Sequence, residues 1–155
     1  MASPEQRPFL PPRWFVRAAW VVHRAILRVT GRRRGLWRPA LGKWGTLELH
    51  SRGRRSGQER VAILGYYEDG EDLVTLAMNG WAAPEPAWWL NLQAEPDATI
   101  RLADGSLRPI RAHAAVGAER ERLWARWGEF GDDYEAYAAM RPSETAVVVL
   151  SPRRD

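Results

Sequence analysis

The apolar pattern of this chain changes from a helical period to a strand period near residue 45, and this change limits the folds that it can adopt. Before that point, apolar side chains recur on one helical face. After it, short runs alternate apolar and polar residues, as strands with one buried face do. We predict strands over residues 46–50, 59–67, 72–78, 98–103, 107–114 and 145–150. We predict helices over residues 13–30, 84–93, 118–127 and 132–140.

The order of these elements indicates an antiparallel sheet. Parallel strands need long crossover connections, usually helices, and no strand-helix-strand unit repeats along this chain. Short turns at residues 53–58, 68–70 and 104–105 join neighbouring strands instead. We therefore predict an α+β fold built on a six-stranded antiparallel β-barrel. Residues 1–40 are interpreted as a tail, a basic amphipathic helix and a linker, and residues 41–155 as the barrel domain.

Arginine supplies nearly all the positive charge of the chain. Its 155 residues include 23 basic side chains, of which Lys43 is the only lysine, and the formal net charge is +4. Guanidinium groups pair well with phosphate and carboxylate, so an anionic ligand, an anionic membrane and nucleic acid are the partners to consider. The surplus is equally typical of a GC-rich coding sequence. The absence of cysteine excludes disulfides, thiolate metal sites and a cysteine nucleophile.

The predicted helix over residues 13–30 is amphipathic and basic. Its arginines fall opposite its apolar face and are Arg13, Arg17, Arg24 and Arg28. Charges at this spacing exclude a membrane-spanning helix. We favour packing of the apolar face on the barrel, and the alternative is peripheral membrane contact through residues 13–38, which Trp20 among the arginines supports. The predicted location is the cytoplasm, with the inner face of the membrane as the alternative.

The familiar catalytic signatures are missing. The three histidines, His23, His50 and His113, lack metal-ligand spacing, and the chain has no Walker loop, no GxGxxG and no GxSxG motif. We therefore predict no metal site and no certain catalytic side chain. His50 and His113 alternate with apolar strand residues, which predicts histidines that face solvent.

The sequence GRRSG at residues 53–57, followed by Arg60, is a candidate phosphate site. Two glycines allow a tight turn that exposes backbone N–H groups, while Arg54, Arg55 and Arg60 add charge and Ser56 adds a hydroxyl. The alternative is an ordinary solvent-exposed turn.

Two aromatic segments are candidates for the remainder of a site. The strand that ends in AMNG at residues 77–80 precedes PAWWLNL at 86–92, where Trp88, Asn91 and Leu92 lie within one helical turn of each other. This predicts a flat apolar wall with a polar anchor, and core packing is the alternative. Phe130, Tyr134 and Tyr137 recur at helical spacing, where they either roof a pocket or bury their helix.

Taken in this order, the segments resemble the deazaflavin-dependent nitroreductase family, small proteins with an FMN-binding-like split β-barrel that use the coenzyme F420. The resemblance covers about residues 44–152 and rests on GRRSGQxR at 53–60, AMNG at 77–80, PAWWLNLQAEP at 86–96, ERERLW at 119–124 and VVVLSP at 147–152. The first and third motifs together carry most of it. The basic N-terminal helix is similar in kind to the family's variable, sometimes membrane-associated extension.

The resemblance implies that the GRRSG turn holds the phosphate and acidic tail of F420, with the deazaflavin ring beside residues 77–80 and the Trp88 helix. The implied coenzyme residues are Arg54, Arg55, Ser56, Gly57, Arg60, Ile63, Ala77, Met78, Asn79, Gly80, Ala87, Trp88, Trp89 and Asn91. The candidate acceptor residues are Tyr66 and Met78, together with the aromatic residues Phe130, Tyr134 and Tyr137 noted above for their helical spacing. Hydride transfer from a reduced deazaflavin needs no protein nucleophile, which agrees with the missing catalytic signatures.

Four residues depart from the family pattern near the implied acceptor, namely Gly65, Met78, Trp81 and Trp89. They weaken the case for nitro compounds. We expect hydride transfer to a small conjugated acceptor such as a quinone or a nitro compound. One alternative is an FMN-binding split-barrel oxidoreductase. Another is a protein without enzymatic activity that binds F420 or docks on a membrane. Nucleic-acid binding is not expected, because the basic residues match no recognisable module.

Overall fold

The structure, a computed structural model, describes residues 12–29, 35–131 and 133–154. Most of the predicted tail, the RRR run at 32–34 and the side chains of Trp20, Arg24 and Arg28 lie outside the described residues. The strands are β1 Gly45–Arg52, β2 Glu59–Asp69, β3 Asp72–Leu76, β4 Asp97–Arg101, β5 Leu107–Ala114 and β6 Val147–Pro152. The helices in the described part of the chain are α1 Arg13–Val29, α2 Ala87–Ala94, α3 Gly117–Gly128 and α4 Tyr134–Ala139.

The six strands form a closed barrel in the order β1, β2, β3, β6, β5, β4, and every pair is antiparallel. Pairing of β4 with β1 closes it, with Leu49 opposite Ile100. The hairpin turns use Gly70 and Gly105, whose φ values of 62° and 82° suit a residue without Cβ. The predicted α+β antiparallel barrel is confirmed.

Side-chain alternation along the strands builds two cores. Inside the barrel, Leu47 and Leu49 meet Ile100, Val148 and Leu150, all at most 1% exposed. Burial of an aliphatic side chain of this kind contributes about 1.5–3 kcal/mol.

The second core lies outside the barrel and fixes α3. It joins Tyr67, Val147, Leu123 and Trp127, and the Tyr67 hydroxyl donates a 2.7 Å hydrogen bond to the Leu123 carbonyl oxygen. The aromatic end of α3 is thereby held next to the start of α4.

The element order matches the sequence prediction, and the ends differ by one to three residues. The largest difference is that α2 begins at Ala87, three residues later than predicted. β3 ends at Leu76, two residues early, and residues 79–81 form a tight 3-10 turn that the sequence pattern did not indicate. In addition, α4 is shorter than predicted and spans only Tyr134–Ala139, so residue 133 precedes the helix.

The environment of His50 differs from our prediction. We expected it to face solvent, but its side chain is only 11% exposed, and its two ring nitrogens contact carboxylates of Glu48 and Glu59. A ring whose nitrogens have hydrogen-bond partners can be buried in this way, whereas burial of a ring without partners would be costly. The same prediction is confirmed for His113, which is half exposed and pairs with Glu119.

The apolar face of α1 also differs from our prediction. Trp14, Phe15, Val21 and Val22 are all more than half exposed, so among the described side chains this face does not pack on the barrel as we favoured. Val16 is half buried and lies near Gly80. No helix in the described ranges is long and apolar enough to cross a bilayer.

Candidate functional site

The basic turn between β1 and β2 is tightly folded and exposed. The Gly53 N–H donates to the Gln58 carbonyl, and the Gly57 N–H donates to the Gly53 carbonyl, each at 2.8 Å. A Cβ at Gly53 would lie 2.8 Å from Ser56 Oγ, and Gly57 has a φ of +69°, so both positions favour glycine. The turn therefore holds its arginines outward.

Asn91 ties this turn to α2. Its Oδ1 accepts from the Arg54 backbone N–H at 3.1 Å and from Arg54 Nη1 at 3.2 Å. Asn91 is 4% exposed. The predicted turn and the predicted Trp88 helix are thus in direct contact. The side-chain oxygen Oδ1 of Asn91 positions the turn.

The free charge of the turn is positive. Ser56 Oγ accepts from the Gln58 N–H at 3.2 Å and from Arg60 Nη2 at 3.4 Å. Arg55 is exposed and forms no ion pair with any residue that the structure describes. The nearby carboxylate of Glu59 contacts His50 instead. An anion could therefore bind here without competition from an acidic side chain.

A left-handed turn follows β3. Asn79, Gly80 and Trp81 have φ values of 47°, 60° and 63°, and the Trp81 N–H donates to the Met78 carbonyl at 2.7 Å. The Trp81 ring stacks on Tyr137 with centroids 5.7 Å apart and planes 16° apart. This stacking places a large ring at a backbone conformation that side chains with a Cβ disfavour.

Next to this turn lies a pocket of about 260 Å³. It is lined by Met78, Trp81, Gly131, Asp133, Tyr134 and Tyr137. The rings of Trp81, Tyr134 and Tyr137 supply flat walls, Asp133 adds a carboxyl group, and the size of the pocket suits a small planar molecule.

Trp44 lies within hydrogen-bonding distance of Tyr134. Burial raises the pKa of the Tyr134 hydroxyl, and hydrogen bonding from the Trp44 indole offsets part of the rise. Gly65 makes room for this indole, because a Cβ there would lie 3.0 Å from the Trp44 ring. Gly65, which departs from the family pattern, is thereby explained.

Comparison with known proteins identifies the family. A sequence profile of the F420H(2)-dependent quinone reductase family matches residues 39–152. The chain belongs to this family. The F420H(2)-dependent quinone reductase Rv1261c of Mycobacterium tuberculosis is 31% identical over 150 residues, which are 91% of this chain and 97% of that protein. Rv3178 of the same organism, named for the same activity, is 34% identical over 108 residues, 70% of this chain and 90% of that protein.

Solved structures support the fold. The F420-H2 dependent reductase FDR-A aligns with a TM-score of 0.61 and 23% identity, over 68% of this chain and 93% of that chain. The expected membership of an F420-dependent split-barrel family is confirmed.

Most residues implied by the family resemblance lie at the basic turn, at α2 or at the pocket, but several do not. Ile63 is buried in a separate cluster with Leu36. Tyr66 is 1% exposed inside the barrel, where an acceptor cannot contact it. Phe130 lies in the turn after α3, where it stacks on Tyr67 with ring centroids 5.7 Å apart, and it is absent from the pocket lining. Trp89 packs into the barrel core, which leaves Trp88 as the half-buried ring of α2.

The sequence analysis missed several residues around the pocket. Trp81 was noted only as a departure from the family pattern, although it forms a pocket wall. No local sequence pattern pointed to Asp133, Trp44 or Arg141 as part of the site, because they come from segments that are distant in sequence.

A second cavity, of about 340 Å³, is larger but suits an apolar acceptor poorly. It lies beside Trp124, and carboxylates of Glu121, Glu135 and Glu144 rim it. The Arg120 guanidinium already lies over the Trp124 ring at 5.5 Å. None of the residues implied by the family resemblance lines it.

We predict that Asn91→Leu loosens the basic turn. The change removes the acceptor of the part-buried Arg54 N–H, and loss of such a hydrogen bond costs about 0.5–1.5 kcal/mol. Urea unfolding measures this loss, and hydrogen exchange at residues 53–58 is expected to quicken. Gln93→Leu, an exposed change on the same helix, is the control and shifts stability by no more than about 0.5 kcal/mol. Equal exchange at 53–58 in both variants would show that Asn91 does not hold the turn.

Proposed function

We propose that this chain binds F420 and passes a hydride from its reduced form to a quinone. The observation that carries the proposal is the hydrogen-bonded junction of Arg54 and Asn91, which joins an anion-binding turn to α2. Met78 and Trp81, in the loop that leads to α2, line the aromatic pocket. The names of the relatives, both quinone reductases, support the same function.

The residues present fit the coenzyme. Arg55 and Arg60 are exposed at the turn and suit a phosphate and an acidic tail. Arg54 contributes the donors that Asn91 does not occupy. Trp88 and residues 78–80 are partly or fully exposed and offer a surface for the ring, whereas the predicted coenzyme residue Ala77 is fully buried in the barrel core. Ala87 is exposed at the start of α2, where its small side chain leaves room for a ligand.

When bound and reduced, F420 supplies the hydride. The protein positions the acceptor and excludes water. The rings of Trp81 and Tyr137 stack on each other and present a flat aromatic surface that orients a quinone. Met78 lines the same pocket. The Tyr134 hydroxyl is protonated near neutral pH, as tyrosine is in water, and burial raises its pKa further. It can therefore donate a hydrogen bond to an acceptor oxygen as negative charge develops there.

The test is anaerobic oxidation of reduced F420 by menadione, with wild-type protein and Arg55→Ala. We expect the wild type to turn over. Arg55→Ala is expected to lose a charge-assisted contact worth about 1.5–3 kcal/mol, which weakens apparent F420 affinity roughly 10- to 150-fold. The maximal rate should change little, and the loss should shrink at high salt.

Arg108→Ala, an exposed change on β5, is the control and should leave F420 affinity unchanged. A wild-type protein that binds reduced F420 but never oxidises it with a panel of quinones, nitroaromatics and enones would contradict the enzymatic proposal. In that case a non-enzymatic F420-binding role would remain.

We also propose that α1 docks on an anionic membrane surface, so that residues 1–40 act as an extension to the barrel domain. Trp14, Phe15, Val21 and Val22 leave an apolar face open, and Arg13 and Arg17 are exposed on the same helix. Such a face inserts at the headgroup boundary while the arginines meet lipid phosphates. Val16 lies near Gly80, so docking would bring the acceptor pocket close to membrane-dissolved quinones.

Reversal of two charges on α1 tests this docking. We expect Arg13→Glu with Arg17→Glu to weaken binding to phosphatidylglycerol vesicles roughly thirtyfold or more, because each basic residue near the surface contributes about 1 kcal/mol. Vesicle sedimentation measures the effect. Arg108→Glu with Arg111→Glu makes the same charge change on the barrel and serves as control. Equal weakening in both pairs would attribute binding to net charge alone and contradict docking through α1.

A further inference from the structure

Arg141 lies between α4 and β6, and its side chain is fully buried. Nε donates to the Ala82 carbonyl at 2.9 Å, and Nη1 donates to the Ala77 carbonyl at 3.0 Å. Nη2 donates to the Pro84 carbonyl at 3.4 Å. A buried guanidinium is costly unless its donors are satisfied. Here a single short loop supplies three of the acceptors.

The remaining contacts balance the charge. Glu85, in the same loop, places Oε1 3.6 Å from Nη2, and Thr145 Oγ1 accepts from Nη1 at 2.8 Å. Arg141 thus connects residues 77–85 to the segment that leads into β6.

The loop that Arg141 holds contains the three successive left-handed residues. Its contacts with Ala77 and Ala82 bracket Asn79, Gly80 and Trp81 on both sides. Tryptophan disfavours positive φ, so this conformation persists only where the surroundings fix it. The stacking of Trp81 on Tyr137 depends on the same conformation.

We propose that Arg141 is a positioning residue that holds Trp81 as a wall of the acceptor pocket and so sets acceptor affinity. The inference rests on the proposed quinone reduction. Arg141 is absent from the pocket lining and acts through the loop. A guanidinium is needed because its planar fork reaches several carbonyls at once, whereas a lysine ammonium is a point charge.

The experiment compares Arg141→Lys with Arg122→Lys. Arg122 pairs with Asp69 on the outer face of α3, away from the pocket. We expect amide hydrogen exchange over residues 77–85 to quicken about tenfold in Arg141→Lys and not in the control. The KM for menadione should rise by about the same factor and should stay unchanged in the control. Exchange or KM no different from that of the control would overturn the inference.

A double-mutant cycle with Trp81→Gly separates positioning from general stability. If Arg141 acts through Trp81, Arg141→Lys should have little further effect on the menadione KM once Trp81 is glycine. Independent, multiplicative effects would overturn the inference. If Arg141→Lys does not fold, Thr145→Val removes one acceptor of Nη1 and is judged by the same exchange measurement. Exchange needs neither coenzyme nor acceptor, so a wild-type protein without turnover would count against the proposed function instead.

Discussion

Closure of the barrel by the pairing of β4 with β1 is the constraint on which the site depends. β1 leads directly into the basic turn, and α2 leads into β4 through only two residues. Because His50 pairs with Thr99, the end of α2 is brought beside the end of β1. The Arg54 and Asn91 contact follows from this geometry. Without closure, the arginines and the Trp88 helix would be unrelated surface features.

The two halves of the site depend on different physics. At the turn, exposed guanidinium groups act through charge, and salt weakens such contacts. At the pocket, Trp81, Tyr134 and Tyr137 act through shape and stacking, which salt affects little. In the proposed function, salt would therefore weaken coenzyme binding at the turn more than acceptor binding at the pocket.

Much of the fold was predictable because strand alternation and turn glycines are local signals. The GRRSG turn and the Trp88 helix were predictable for the same reason. The left-handed turn at Trp81 was not, since a distant arginine, Arg141, holds it. Tyr66 shows how a family resemblance can mislead: alternation along β2 already places it on the face of Leu64, inside the barrel. His50 was misjudged because its carboxylate partners lie on its own strand and on the neighbouring β2.

The central claim is that the arginine turn selects a coenzyme with several negative charges. Parallel titration of the wild-type protein with F420 and FMN, followed by tryptophan fluorescence quenching at low and high salt, tests it most directly. Tighter binding of F420, with an advantage that shrinks as salt rises, is the predicted result, because FMN has a phosphate but no acidic tail. Equal or tighter binding of FMN would contradict the deazaflavin assignment, whereas the barrel fold and the family membership do not depend on this result.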